Sequence, residues 1–190
     1  MPMKRPCDLP LHRTVVLHEL RASNKVVELT LRIQARHAVE SNERRRSYEE
    51  LMELDVFMSA AEFLAQHKTD RPDVSQIKVA TGDIVWRVLN SDAAEAGWGP
   101  FLYDIAMELA TIAGKGLCSH DTQVSEDALR VWKYYQSRRD DVTKALLPSN
   151  MKPQHNDDCL QYAYSKTPPQ TVEELKRLDK WEDCHTVLDT

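Results

Sequence analysis

Between Val27 and Ala35 the sequence alternates strictly between apolar and polar side chains. A period of two is typical of a β-strand with one face packed on a core and the other in contact with water. The run from Thr14 to Leu20 is also strand-like, and Ala22-Ser23-Asn24 supplies turn residues between the two runs. The sequence therefore predicts an antiparallel hairpin near the N-terminus.

A helix and two more strands are predicted after the hairpin. Ser47 to Glu50 fits a capping box, and the apolar residues behind it repeat at helical spacing to about His67. Ile77 to Ala80 is a short strand candidate. The run from Asp83 to Leu89 is nearly continuous in apolar residues from Ile84 onward, so we predict a central strand covered on both faces.

A helix, a short strand and a further helix are predicted next. Proline is favoured at the first position of a helix, so a helix should begin at Pro100 and end at the glycines of Gly114-Lys115-Gly116. Leu117 to Ser119 is a further strand candidate. Ser125 can cap another helix, whose buried face would hold Ala128, Val131, Trp132 and Tyr135.

The character of the chain changes after Val142, where prolines punctuate a polar segment. We expect this segment to wrap around the surface and to end in a short docking helix, signalled by a second capping box at Thr171 to Glu174. The resulting division is an N-terminal arm (1–10), a domain over 11–142, and a C-terminal tail (143–190). The predicted fold class is α/β, built on a mixed sheet of the α+β kind.

Composition narrows the function classes. The net charge of −5 argues against a general nucleic-acid binder, and no stretch is apolar enough to span a membrane. The N-terminus lacks the apolar region of a signal peptide. Four scattered cysteines without a paired spacing indicate free thiols and no metal site. A zinc site is the less favoured alternative, with candidate ligands Cys159, Cys184, His185 and His155.

Gly97-Trp98-Gly99 lies between the predicted buried strand and a helix N-terminus. Glycines at such a position let backbone amides approach a phosphate, and the helix end favours negative charge. The alternative is a tight turn that holds no ligand.

The segment from Gly97 to Glu108, which reads GWGPFLYDIAME, resembles the signature of a group of bacteriophage proteins described as GNAT-like, that is, similar to N-acetyltransferases. The stretch from Val124 to Trp132, the pair Tyr134-Tyr135, Arg139 to Val142, Asp157-Asp158-Cys159 and, more loosely, Tyr164-Ser165-Lys166 are similar to the same group. The resemblance covers roughly residues 83 to 182. It implies that 11–142 is a GNAT-like domain, matched best over 83–142, in a protein of the host cytoplasm or the virion.

The resemblance also implies a cofactor. In the wider superfamily acetyl-CoA lies in a splayed sheet, and a glycine loop holds its pyrophosphate. Carried over to this chain, the cofactor-binding residues are Gly97, Trp98, Gly99 and Phe101. A tyrosine that protonates the departing CoA thiolate is matched in position by Trp132, whose indole cannot act as a general acid. Tyr135, one turn further along, is then the candidate catalytic residue, with a core tyrosine as the alternative.

Other expected groups are missing from the matched positions. Ala94 stands where a glutamine or arginine would support the phosphate, and Pro100 removes one donor amide. The strand from Ile84 to Leu89 contains no acid to deprotonate an amine; Asp83 and Asp92 flank it and suit turn or edge positions.

Two functions remain open. The chain is either an acyl-CoA-dependent N-acyltransferase or a non-catalytic phage component, such as a virion protein or assembly factor, on the same scaffold. Its partners would be acyl-CoA in the first case and phage structural proteins or further copies of the chain in the second.

Overall fold

A computed structural model of the chain describes residues 3–35 and 75–188. The helix predicted from Ser47 to about His67 lies outside these residues. The described strands form one sheet in the order β6-β7-β5-β4-β3-β2-β1-β8. The strands are β1 (Arg13–Ala22), β2 (Lys25–Ala35), β3 (Ser75–Ala80), β4 (Trp86–Asp92), β5 (Leu117–Cys118), β6 (Val142–Leu146), β7 (Tyr162–Lys166) and β8 (Trp181–Leu188). The helices are α1 (Trp98–Ala113), α2 (Glu126–Arg138) and α3 (Gln170–Arg177).

The sheet is mixed, which confirms the predicted α/β class. The pairs β4–β5 and β1–β8 are parallel, and the other neighbouring strands are antiparallel. β1 and β2 form the predicted hairpin, in which Ser23 takes the left-handed backbone conformation that the tight turn requires, with φ of 54°. Leu29, Leu31 and Ile33 are buried, as the alternation predicts.

The central strand begins later than its apolar run predicts. β4 starts at Trp86 and not at Asp83, and Ile84 is 45% exposed. Ile84 lies in the bend that precedes β4, where its carbonyl oxygen accepts a hydrogen bond from the Lys115 amide at 2.7 Å. β4 nevertheless lies inside the sheet, between β3 and β5, as expected for a covered strand.

α1 packs over one face of the sheet. It begins at Trp98, two residues before the predicted start, because Gly97 serves as the N-cap residue in the left-handed conformation with φ of 91°. It ends at Gly114, as predicted. Phe101, Ile105 and Met107 are at most 1% exposed and join the main core cluster with side chains from β1, β2 and β3.

The C-terminal tail is predicted to wrap around the surface, but it forms part of the sheet. It supplies three strands to the sheet: β6 at one edge, β7 beside β5, and β8 at the opposite edge. β6 and β7 have only five residues each, and all three strands take their places by pairing with other strands, which a local pattern does not reveal. The predicted docking helix is α3, which buries Val172 and Leu175.

Candidate functional site

The four residues predicted to bind a cofactor lie together at the start of α1. The carbonyl oxygen of Gly97 accepts hydrogen bonds from the amides of Phe101 and Lys4, each at 3.4 Å. The first of these bonds closes the opening turn of the helix. The second ties the N-terminal arm to the glycine loop.

Side chains of the loop belong to the core. Trp98 is 7% exposed and Phe101 is 1% exposed, and their rings meet edge to face with centroids 5.3 Å apart. The ammonium group of Lys4 lies 5.6 Å from the centre of the Trp98 ring, within the range of a cation–π interaction. The arm therefore covers the outer side of the indole.

The position expected to carry a phosphate-supporting side chain is occupied by Ala94. Its amide donates to the hydroxyl oxygen of Ser75 at 2.9 Å. The strand-flanking acids are also engaged: Asp83 pairs with Lys25 at 2.7 Å, which lowers the pKa of Asp83, and Asp92 accepts from Gln76 at 3.5 Å. Asp83 lies in the turn before β4, as predicted, whereas Asp92 is the last residue of the interior strand β4.

Tyr135, the candidate catalytic residue, is 2% exposed. Its hydroxyl donates to Asp104 Oδ1 at 2.7 Å and lies 3.1 Å from the carbonyl oxygen of Pro100. Burial, and after it the carboxylate of Asp104, raises the pKa of Tyr135 well above its usual value. The hydroxyl therefore holds its proton tightly inside the contact between α1 and α2.

An aromatic cluster fills the space around Tyr135. Trp132 is 1% exposed, and its ring lies 5.4 Å from that of Tyr103 and 5.3 Å from that of Tyr164. The hydroxyl of Tyr103 is within 3.1 Å of Ser91 Oγ. Trp132 and Tyr135 lie on the buried face of α2, as the sequence predicts, while Ala128 and Val131 are only half-buried.

A cluster of buried charges lies next to Tyr135. Asp104 is 2% exposed. One of its carboxylate oxygens accepts a hydrogen bond from Arg139 Nη1 at 2.9 Å, and the other accepts one from Lys166 Nζ at 2.9 Å. Arg139 also contacts Asp141 at 2.6 Å. Within the part of the chain that the structure describes, these contacts join α1 to the end of α2 and to β7.

Glu108, one turn beyond Asp104, is fully buried. Its carboxylate accepts Lys166 Nζ at 2.6 Å and the amides of Thr171 and Val172, each at 2.9 Å. These amides are among the first of α3, so Glu108 caps that helix from another part of the fold. The capping box predicted at Thr171 is wrong, because Thr171 lies inside the helix and Pro169 is the N-cap residue.

The buried part of this cluster contains two acids and two cations: Asp104 and Glu108 contact Lys166 and Arg139. Burial alone would lower the pKa of Lys166 and Arg139, but their carboxylate neighbours outweigh it and raise both pKa values. The hydrogen bond from Arg139 lowers the pKa of Asp141. Arg139, Lys166 and Asp141 are therefore charged near neutral pH.

The four residues of this cluster lie within the segments named in the sequence analysis, which does not predict that they pair. Asp104 and Glu108 stand four residues apart on the apolar stripe of α1, which places both on one face of the helix. A charged pair on a buried face indicates buried partners of opposite sign. That pattern could have identified the acids, though not Lys166 and Arg139 as their partners.

The cysteines are unpaired, as predicted: Cys7 and Cys184 are exposed, and Cys118 and Cys159 are buried. Burial raises the pKa of the Cys118 thiol to about 11. The residues that the structure describes contain no group of three or more potential metal ligands. No described helix is long and apolar enough to cross a membrane.

Comparison with known proteins gives no relative. No family model, no curated protein and no solved structure matches the chain.

Proposed function

We propose that the chain is a bacteriophage protein on a GNAT-like scaffold that acts as a non-catalytic binding or assembly component. The strongest support comes from Tyr135, whose hydroxyl donates to the buried carboxylate of Asp104. A general acid must reach the leaving group and give up its proton near the working pH. The Tyr135 hydroxyl is enclosed, and its pKa is raised well above its usual value.

The glycine loop supports the same proposal. An acyl-CoA pyrophosphate needs free amides and positive charge at the helix start. Here the Phe101 amide turns back to Gly97, Trp98 packs in the core, and the arm bonds to the loop through Lys4. The Phe101 amide and the Trp98 side chain, two of the groups expected to hold the cofactor, thus have partners within the fold.

One observation favours the alternative, an acyl-CoA-dependent N-acyltransferase. β4 and β5 pair at only two positions, Trp86 with Leu117 and Arg87 with Cys118, while β4 continues to Asp92. The pairing of these two parallel strands therefore ends at Arg87. A place where two strands of the sheet part is where the resemblance implies that acetyl-CoA lies.

Calorimetric titration of the full chain with acetyl-CoA separates the two functions. We expect no heat of binding in the wild type, and no difference in the Gly99→Asp variant beyond a change in thermal stability. Binding with a micromolar Kd that Gly99→Asp abolishes would instead establish an acyl-CoA site at the loop and overturn the proposal. Gly99→Ala is the matched control, because it adds a methyl group without a charge beside the phosphates.

A further inference from the structure

The edge strand β8 presents one side to solvent. All eight of its residues pair with β1, from Trp181 opposite Val15 to Leu188 opposite Ala22, without a register shift. Within the described sheet β8 has no neighbour on its other side, and its residues from Asp183 to Leu188 are exposed. A long, regular strand of this kind offers a row of backbone donors and acceptors to another strand.

β8 lacks most of the features that usually protect an edge. Protected edges are short, or carry charged side chains, especially lysine, or proline or a bulge, and the charged side chains of β8 are the acids Glu182 and Asp183 near its start. β8 contains no lysine or proline and exposes Val187 by 53% and Leu188 by 44%. The opposite edge, β6, has five residues and carries Lys144. Of the two described edges, β8 is thus the one suited to pairing.

The charges of β8 determine which orientation a second copy can adopt. Glu182 and Asp183 stand near its start. In a parallel pair of two β8 strands, these acids would lie directly opposite the same acids, and like charges in that position are destabilising. In an antiparallel pair, the acids of each copy lie opposite the C-terminal half of the other.

One antiparallel register matches the side chains best. With the two-fold axis at Cys184, Asp183 lies opposite His185 of the second copy, and Trp181 lies opposite Val187 of the second copy. Directly opposed residues share a face of the sheet, so a carboxylate meets an imidazole and an apolar ring meets an apolar side chain. The two Cys184 thiols lie next to each other on the axis.

We propose that β8 is the surface through which two copies of this chain associate, edge to edge and antiparallel, about a two-fold axis at Cys184. This inference rests on the assembly role proposed above and names the partner as a second copy. The interface is isologous, because the same strand contributes from both sides.

Sedimentation equilibrium of the full chain under reducing conditions tests the inference. We expect a dimer whose dissociation constant rises at least about tenfold in Cys184→Lys, since two lysines then meet at the axis. Ala145→Lys makes the same kind of change on exposed β6 and should leave the dissociation constant unchanged. Thermal melts of both variants show that they remain folded.

Mild oxidation with diamide tests the register. Opposed residues in an antiparallel pair have Cα atoms about 4.5–5.5 Å apart, within the range that a disulfide spans. We expect a disulfide-linked dimer that persists in Cys7→Ser and disappears in Cys184→Ser. Cys7 is the matched control because it is the other exposed thiol among the described residues.

A chain that stays monomeric at all concentrations would overturn the inference, as would a dimer that Cys184→Lys leaves intact. These measurements involve no cofactor, so their failure leaves the non-catalytic proposal standing. Conversely, acetyl-CoA binding in the calorimeter would remove that proposal without changing the state of association.

Discussion

Glu108 should be the residue on which the attachment of the C-terminal segment depends most. Glu108→Gln keeps the shape of the side chain but removes its charge from Lys166 and presents an NH₂ group near the α3 amides. Breaking a buried ion pair costs about 3–5 kcal/mol, and losing a helix cap costs about 1 kcal/mol. Because glutamine keeps one acceptor oxygen, we expect the free energy of unfolding to fall by about 3 kcal/mol. Urea unfolding, followed by the fluorescence of the buried tryptophans Trp86, Trp98 and Trp132, measures the change.

Three further variants test the physical reason: the double variant described next, Lys166→Met alone, and Glu173→Gln. Glu108→Gln combined with Lys166→Met removes both charges and leaves Asp104 paired with Arg139. The double variant should therefore lose at least about 2 kcal/mol less than the sum of the single changes. Glu173→Gln changes an exposed acid of α3 and should stay within about 0.5 kcal/mol of the wild type. Equal effects of Glu108→Gln and Glu173→Gln would refute the capping and pairing roles.

Three other outcomes follow from the same geometry. In urea unfolding, Gly97→Ala should lower the free energy of unfolding by about 1 kcal/mol or more, because φ of 91° strains an alanine. Gly99→Ala should raise the free energy of unfolding by about 0.5–1 kcal/mol, because its added Cβ lies at an ordinary contact distance of 3.6 Å from Ala93 Cβ. In an alkaline absorbance titration, Tyr103, Tyr135 and Tyr164 should stay protonated past the usual tyrosine pKa, because their pKa values are raised in the folded protein. Above a pH of about 10 the unfolded chain then binds fewer protons than the folded one, so the free energy of unfolding should fall as the pH rises. Thiol labelling of the native protein should be fast at Cys7 and Cys184 and slow at Cys118 and Cys159, with all four reacting alike in denaturant.

The elements that sequence reasoning predicts well are those with a local cause. The alternation in β2 reports one buried face, and Gly114 and Ser125 end and begin helices through contacts within a few residues. β6 and β7 are missed because each has five residues and gains its place by pairing with the other. The cap of α3 is missed because it comes from Glu108, 63 residues before Thr171.

The candidate site divides in the same way. Its position at the start of α1 follows from the glycines and the neighbouring proline, which are local signals. The engagement of Tyr135 does not, because it depends on Asp104 from a different helix. The acid role predicted for Tyr135 needs a free hydroxyl, and only the tertiary contacts show where that hydroxyl points.

These contacts connect three segments of the sequence through buried ion pairs. The segment from Gly97 to Glu108 contains both buried acids, the segment beginning at Arg139 contains one of their cations, and Tyr164-Ser165-Lys166 contains the other. A buried acid that loses its partner is strongly destabilising, so the three segments must be retained together for the fold to persist. That requirement applies equally to an enzyme and to a scaffold without activity. The core alone therefore accounts for these residues, and acyl transfer has to be tested at the glycine loop itself.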